Sequence, residues 1–144
     1  MKRILYWFVQ ITWGLLATLF GLFVFLYVII FRNHKIHKNG YSFITEFGGN
    51  WGGLSLGAFS FCGDYSKDNV YWFEHTRAHE YGHSIQNMMF GPLFIFIVAI
   101  PSAIRYHYQN YRSKRGLPNK EYDSIWFEGS ATRLGERFID KHER

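Results

Sequence analysis

The chain opens on an apolar run. From Ile4 to Phe31 there are 28 consecutive positions without a charge, and only Gln10, Thr12 and Thr18 are appreciably polar. A helix of about 20 apolar residues crosses a bilayer core, and a helix satisfies its own backbone in lipid. The pattern therefore predicts one N-terminal transmembrane helix, long enough to cross with some tilt. Tyr6, Trp7 and Trp13 near one end and Tyr27 near the other suit interfacial belts. A cleaved signal peptide would carry about 7–15 apolar residues and a small-residue cleavage site. This run is far longer and ends in Phe31-Arg32-Asn33-His34-Lys35, which favours a retained anchor.

The texture then changes. Arg32 to Gly40 reads as a short basic connector. Leu54 to Phe61 alternates large apolar with small or polar residues, the period of a strand. Tyr41 to Phe47 and Val70 to Phe73 are weaker strand candidates, and residues 63–69 read as a turn. A small antiparallel sheet is the economical interpretation. A helix is predicted from Glu74 to Phe90, closed by Gly91-Pro92. Met88 to Ile104 is a second apolar stretch, containing Pro92 and Pro101. The polar, basic, tyrosine-rich stretch Arg105 to Lys120 follows, with a turn at residues 116–119, and a last helix is expected from Tyr122 to Arg137. The class is α+β, organised as a transmembrane anchor over residues 1–31 and one domain over residues 32–144.

Composition and charge refine this. At 144 residues, 48% hydrophobic and 21% aromatic, the chain can form one packed unit and is not globally disordered. The formal charge is +5, but the cations flank apolar segments. A membrane-surface role explains them better than nucleic acid, for which no signature is present. Lys2 and Arg3 precede the first apolar run; Arg32, Lys35 and Lys38 follow it, and Arg105, Arg112, Lys114 and Arg115 lie further on. That balance favours an integral protein of the plasma (inner) membrane with a cytoplasmic C-terminal body. The lone cysteine, Cys62, has no partner for an internal disulfide and no zinc-finger spacing.

Chemistry concentrates at His79-Glu80-Tyr81-Gly82-His83. Two histidines four residues apart on a helix are offset by about 40° and roughly 6 Å, so both can reach one zinc ion at about 2.0–2.1 Å. Glu80 then projects beside the metal and can accept a proton from its water, the mechanical content of an HExxH pattern. Gly82 is costly inside a helix, by about 1 kcal/mol relative to Ala; a close neighbour is expected there, either a substrate strand, the membrane helix or simple packing. A third protein ligand is required. Glu128 is the best candidate, since a carboxylate beside Trp126 and Phe127 needs a partner when buried.

His79-Glu80-Tyr81-Gly82-His83 followed by Glu128-Gly129-Ser130-Ala131 resembles the gluzincin arrangement, HExxH then ExxA on a later helix. It is similar to the membrane-bound zinc peptidases that include the CAAX prenyl endopeptidases and their bacterial stress-response relatives. The resemblance implies zinc held by His79, His83 and Glu128, with Glu80 as general base and a zincin-like helix carrying the HExxH residues. That family usually continues ExxAD, its Asp supporting a ligand histidine; Thr132 stands in that place here. The function expected is zinc-dependent peptide hydrolysis near a membrane, on a peptide or protein substrate. The alternative is a non-catalytic membrane scaffold with zinc structural or absent, and a non-peptide amide or ester substrate is also compatible with the motif.

His83 and Glu128 flank the second apolar stretch. If residues 88–104 crossed the bilayer, Glu128 would end up opposite His83, because residues 105–120 are too polar to carry the chain back. A shared metal therefore predicts a re-entrant or interfacial segment. His75 and Gln86, one turn either side of the histidine pair, are possible site residues. His34, His37 and His142 are expected in solvent. Among Tyr106, His107, Tyr108, Tyr111 and Tyr122, one is expected to donate to a developing oxyanion. The Leu54 to Phe61 strand is a candidate edge for pairing an extended peptide, with ordinary core as its other reading.

Overall fold

The computed structural model describes residues 3–143; Lys2, which enters the orientation argument, lies outside them. The chain is α+β. In order it forms α1 (Arg3–Ile11), α2 (Leu15–Phe31), β1 (His34–Asn39), β2 (Ser42–Phe47), β3 (Gly53–Leu56), β4 (Phe59–Cys62), α3 (Val70–Phe90), α4 (Ile100–Lys114) and α5 (Trp126–Glu143), with short turns of other helical type between α3 and α5.

The expected single N-terminal helix is two helices meeting at 94°. Among the described residues no single helix is long and apolar enough to cross a membrane. The three polar residues of the apolar run explain the break. Thr12 Oγ1 donates to Phe8 O at 2.7 Å, taking up a carbonyl where α1 ends. Gln10, fully buried, donates to Ser84 O at 3.0 Å and accepts from Asn87 Nδ2 at 2.6 Å and Thr18 Oγ1 at 3.4 Å. Asn87 also donates to the carbonyl of Gly14 at 3.2 Å. Buried amides require such partners, and these tie α1 and the start of α2 to the back of α3. Tyr6 lies in one apolar cluster with Phe59, Phe61, Tyr81, Ile85 and Ile139, so the N-terminal helices contribute to the same core as the rest.

The sheet is mixed rather than antiparallel. Its order is β1-β2-β4-β3; β1–β2 and β3–β4 are hairpins, but β2 and β4 run parallel. The predicted basic connector supplies β1, whose side chains alternate between exposed and half-buried positions. The Leu54 to Phe61 run is a hairpin and not one strand. Leu56 pairs with Phe59 across Gly57-Ala58, and Gly57 has φ +65°, the left-handed conformation a two-residue turn of this kind requires. Alternation persisting through so short a turn disguises it. Val70 to Phe73, a weak strand candidate, is the first turn of α3. Asn69 accepts from the Trp72 amide at 3.0 Å, capping a helix that begins at Val70, four residues before its predicted start.

Two histidines expected in solvent are engaged. Because α5 continues past Arg137, His142 reaches the core, bonds the Tyr81 hydroxyl at 2.7 Å and stacks on Tyr41 at 4.0 Å. His37 bonds buried Glu46 at 2.9 Å. Burial alone would raise the Glu46 carboxyl. Hydrogen bonds from the Ser66 hydroxyl and amide and from His37, with the charge of Lys35, outweigh it and lower the group from 4.5 to about 2. A depressed carboxyl contributes stability that is present above its ordinary value and lost as pH falls through the lowered one. On the order of 3 kcal/mol should therefore disappear between about pH 4.5 and pH 2. In urea titrations across that window, wild type should lose this increment relative to Glu46→Gln; parallel curves would exclude it.

Candidate metal centre

Helices α3 and α5 run antiparallel and touch backbone to backbone. A Cβ added at Gly82 would stand 1.8 Å from the Ala131 carbonyl oxygen, and one added at Gly135 would stand 1.8 Å from the Ala78 carbonyl oxygen. Small residues spaced by four on both helices, Ala78/Gly82 and Ala131/Gly135, permit this approach. Of the neighbours anticipated for Gly82, packing against α5 is the one found. The close contact sets Glu128 opposite the histidine pair.

Glu128 Oε2 lies 3.1 Å from His79 Nε2 and 3.1 Å from His83 Nε2. Two donors about 2.0–2.1 Å from one zinc at a tetrahedral angle stand roughly 3.3 Å apart, so the spacing suits a shared ion. All three side chains are buried, and their ligand atoms lie within 4.8 Å of one another. They are the one such group of three among the described residues. His75 lines the adjoining cavity but is outside the group.

The outward ring nitrogens are also held. His79 Nδ1 bonds Thr132 Oγ1 at 2.8 Å, and His83 Nδ1 bonds Gln86 Oε1 at 2.8 Å. Nδ1–H donating outward leaves each Nε2 lone pair facing the metal position. Thr132 thus bonds His79 from the place where an Asp was expected by resemblance. Gln86 in turn donates to Phe127 O and Ser130 Oγ, each at 2.7 Å, fastening α3 to α5 beside Glu128.

Electrostatics separates the two carboxylates. Burial opposes ionisation of Glu128, but its close contacts with the His79 and His83 imidazoles hold it well below the usual carboxylate range. Burial dominates at Glu80 and raises it, with the two imidazoles partly opposing. Burial would lower His83, yet the bond to Glu128 and the charge of Glu80 carry it above its ordinary value. Glu80 packs so closely on β3 that a Cβ at Gly53 would meet its Oε1 at 2.1 Å, and Glu80 Oε2 is buried without a hydrogen bond. An unpaired buried carboxylate oxygen is costly; one beside a ligand cluster fits a group kept free to take a proton.

The site faces a cavity of about 1010 Å³, bounded by β3 on one side and by the α3–α4 connection on the other. That connection bends by 119°, through Gly91–Leu93 and a π-helical stretch, Ile95–Ala99. Residues Phe94, Val98, Ser102 and Tyr106, four apart, line the cavity, while Leu93, Phe96, Ile97, Ile100 and Ile104 are exposed. Of the five residues considered for the oxyanion, Tyr106, His107 and Tyr122 line the cavity. Tyr108 and Tyr111 are exposed and outside its lining. The Tyr122 ring centre lies 6.0 Å from that of His79.

Comparison of the chain with protein-family models, with curated proteins and with solved structures gave no match. The case for a metal centre therefore rests on this geometry. Sequence reasoning passed over Ser55, whose hydroxyl donates to the Glu80 carbonyl at 2.7 Å, and the Ala78/Gly82 and Ala131/Gly135 pairs. The pairs carried a legible signal, small residues at i and i+4; Ser55 carried none.

Proposed function

We propose that this chain is a membrane-associated zinc-dependent hydrolase, a peptidase related to the gluzincins. The observation that carries the reading is Glu128 Oε2 between the two imidazoles of an HExxH helix, with buried Glu80, its Oε2 without a hydrogen bond, alongside. His79, His83 and Glu128 would hold the ion, leaving a fourth position open. Bound zinc supplies Lewis acidity, polarising a carbonyl and lowering the pKa of water. Glu80 takes the proton of the attacking water and passes it to the leaving amine. Strand β3 ends the sheet and lines the cavity, so an extended peptide can pair along its free edge.

A membrane location is supported by the surface. Ile4, Phe23, Ile30 and Phe31 on the N-terminal helices, and Phe96 and Ile104 near the second bend, are each more than 60% exposed. Residues 88–104 turn back on themselves, as a re-entrant or interfacial segment would, and both sharply bent helix pairs are apolar enough in length and composition to enter lipid. Arg32, Lys35, Lys38, Arg105 and Arg112 favour a cytoplasmic body at the inner membrane. The substrate would then be a peptide bond near the bilayer surface.

Metal analysis of detergent-purified protein tests the ligand set. Wild type should carry about one zinc per chain. His79→Ala and Glu128→Ala should each weaken binding by more than about 100-fold, since each leaves only two protein donors. Equal zinc in wild type and Glu128→Ala would remove Glu128 from the ligands and the reading with it.

A further inference from the structure

The cavity over the histidine pair has a neighbour. A second cavity, of about 680 Å³, adjoins it, and Trp51, Gly52, Trp72, Tyr106 and Asn110 line both. Asp64, Tyr65 and Asp68 line the second alone. Its aromatic walls are fixed in place. Trp51 Nε1 donates to Phe47 O at 2.7 Å, the Tyr65 hydroxyl donates to Trp51 O, and the Tyr106 hydroxyl accepts from the Gly52 amide at 3.3 Å. Trp72 meets Tyr65 edge-on, with ring centres 6.5 Å apart.

Charge is segregated around the two cavities. The chain carries 16 Lys and Arg against 11 Asp and Glu, yet among the described residues no Lys or Arg lines either cavity. Asp64, Asp68, Glu80, Glu121 and Asp123 do. Arg105 donates through Nη2 to the carbonyls of Glu121 and Tyr122 at 2.7 and 3.0 Å and stays out of the lining. A cleft lined by one sign of charge concentrates ligands of the other. In the second cavity both carboxylates are exposed, and Asp64 Oδ2 accepts from the Gly49 amide at 2.7 Å, which orients the group. Carboxylates set among indole and phenol rings suit an ammonium or a guanidinium: the ring faces attract the cation, and the acids neutralise it.

The edge of the sheet leads from one cavity to the other. Gly53 pairs with Cys62, and one residue earlier Gly63 N donates to Gly52 O at 3.2 Å, so the ladder continues past β3 toward Trp51. Gly53, Leu54 and Ser55 line the first cavity, and Asn50 lines the second. Glu80 seats against Gly53. A strand advances about 3.4 Å per residue. A peptide paired on β3 with its reacting carbonyl near Gly53 therefore reaches Trp51 about two residues away.

We infer that the second cavity binds a cationic side chain, Lys or Arg, of the peptide substrate, held among the rings of Trp51, Tyr65, Trp72 and Tyr106 and neutralised by Asp64 and Asp68, about two residues from the bond presented to the metal. That the peptide is a substrate rests on the function proposed above; the binding itself needs no metal.

Calorimetric titration of full-length Glu80→Gln, purified in a non-ionic detergent, measures binding without turnover. The probes are short acetylated and amidated alanine–serine peptides, identical except for a central arginine or its uncharged isostere citrulline. The arginine peptide should bind about 10-fold tighter. Adding Asp64→Asn and Asp68→Asn together should cut that preference to about 2-fold or less, while adding Asp140→Asn, outside both cavities, should leave it. Should the combined variant fail to fold, Asp68→Asn alone is expected to lower the preference about 3-fold. Equal affinity for the two peptides, binding of neither, or a preference that survives loss of both carboxylates in a folded variant would overturn the inference and leave the metal centre standing. A protein that prefers arginine but carries no zinc would instead overturn the hydrolase reading and leave the cation site.

Discussion

Glu80→Gln is expected to keep its zinc and lose its turnover, with peptide hydrolysis falling by about 10²–10⁴-fold. The amide matches the carboxylate in shape, so the tight seating against Gly53 survives. It cannot accept a proton at neutral pH. Glu80 is not among the three ligand side chains, so metal content should stay at the wild-type level. The measurement is paired, zinc per chain and hydrolysis of a peptide library in detergent or reconstituted membranes. Full activity in zinc-loaded Glu80→Gln would remove Glu80 as the base. A zinc-loaded wild type that cleaves nothing, indistinguishable from the variant, would favour a scaffold.

Gly82→Ala should have the largest effect on the fold. On an exposed helix the change would stabilise by about 1 kcal/mol, so the sign itself is diagnostic. Here the new methyl would fall 1.8 Å from Ala131 O and 2.5 Å from Ala131 C, and a backbone carbonyl cannot swing aside as a long side chain does. Helices α3 and α5 would have to separate by more than 1 Å (order of magnitude, from ordinary contact distances). We expect a loss of about 3 kcal/mol or more, and a weakened zinc site, because Glu128 would retreat from both imidazoles. Gly135→Ala should act alike at the other end of the contact. Thermal unfolding with parallel zinc analysis decides: an alanine variant that melts at or above wild type with full zinc would show that the helices do not meet this closely.

The convergence of His79, His83 and Glu128 was more legible in the sequence than the architecture around it. Two histidines and a glutamate at fixed helical spacing announce themselves locally, and Glu128 was reachable because a carboxylate between aromatic residues needs a reason. The β2–β4 parallel pairing had no local signature, since strand adjacency across the intervening hairpin is decided by tertiary packing. The start of α3 was misread because Val70 to Phe73 is too short for its period to be read; the deciding residue was Asn69, a cap. The bend between α1 and α2 was written in Gln10 and Thr18, polar groups that a lipid-facing helix has no use for. His142 was misplaced because the end of α5 was drawn six residues early, and a histidine at a supposed chain end looks solvated.

Gln10, Tyr6 and Asn87 carry a practical meaning for anyone preparing this protein. The usual remedy for an awkward apolar leader is to cut it away and express the remainder. Here the amputated piece would uncover Tyr81 and Ile85 and strand Ser84 and Asn87, on the very helix that bears both histidines. A shortened version beginning near residue 32 should be judged as a damaged molecule, and its silence in an assay would say nothing about the intact one.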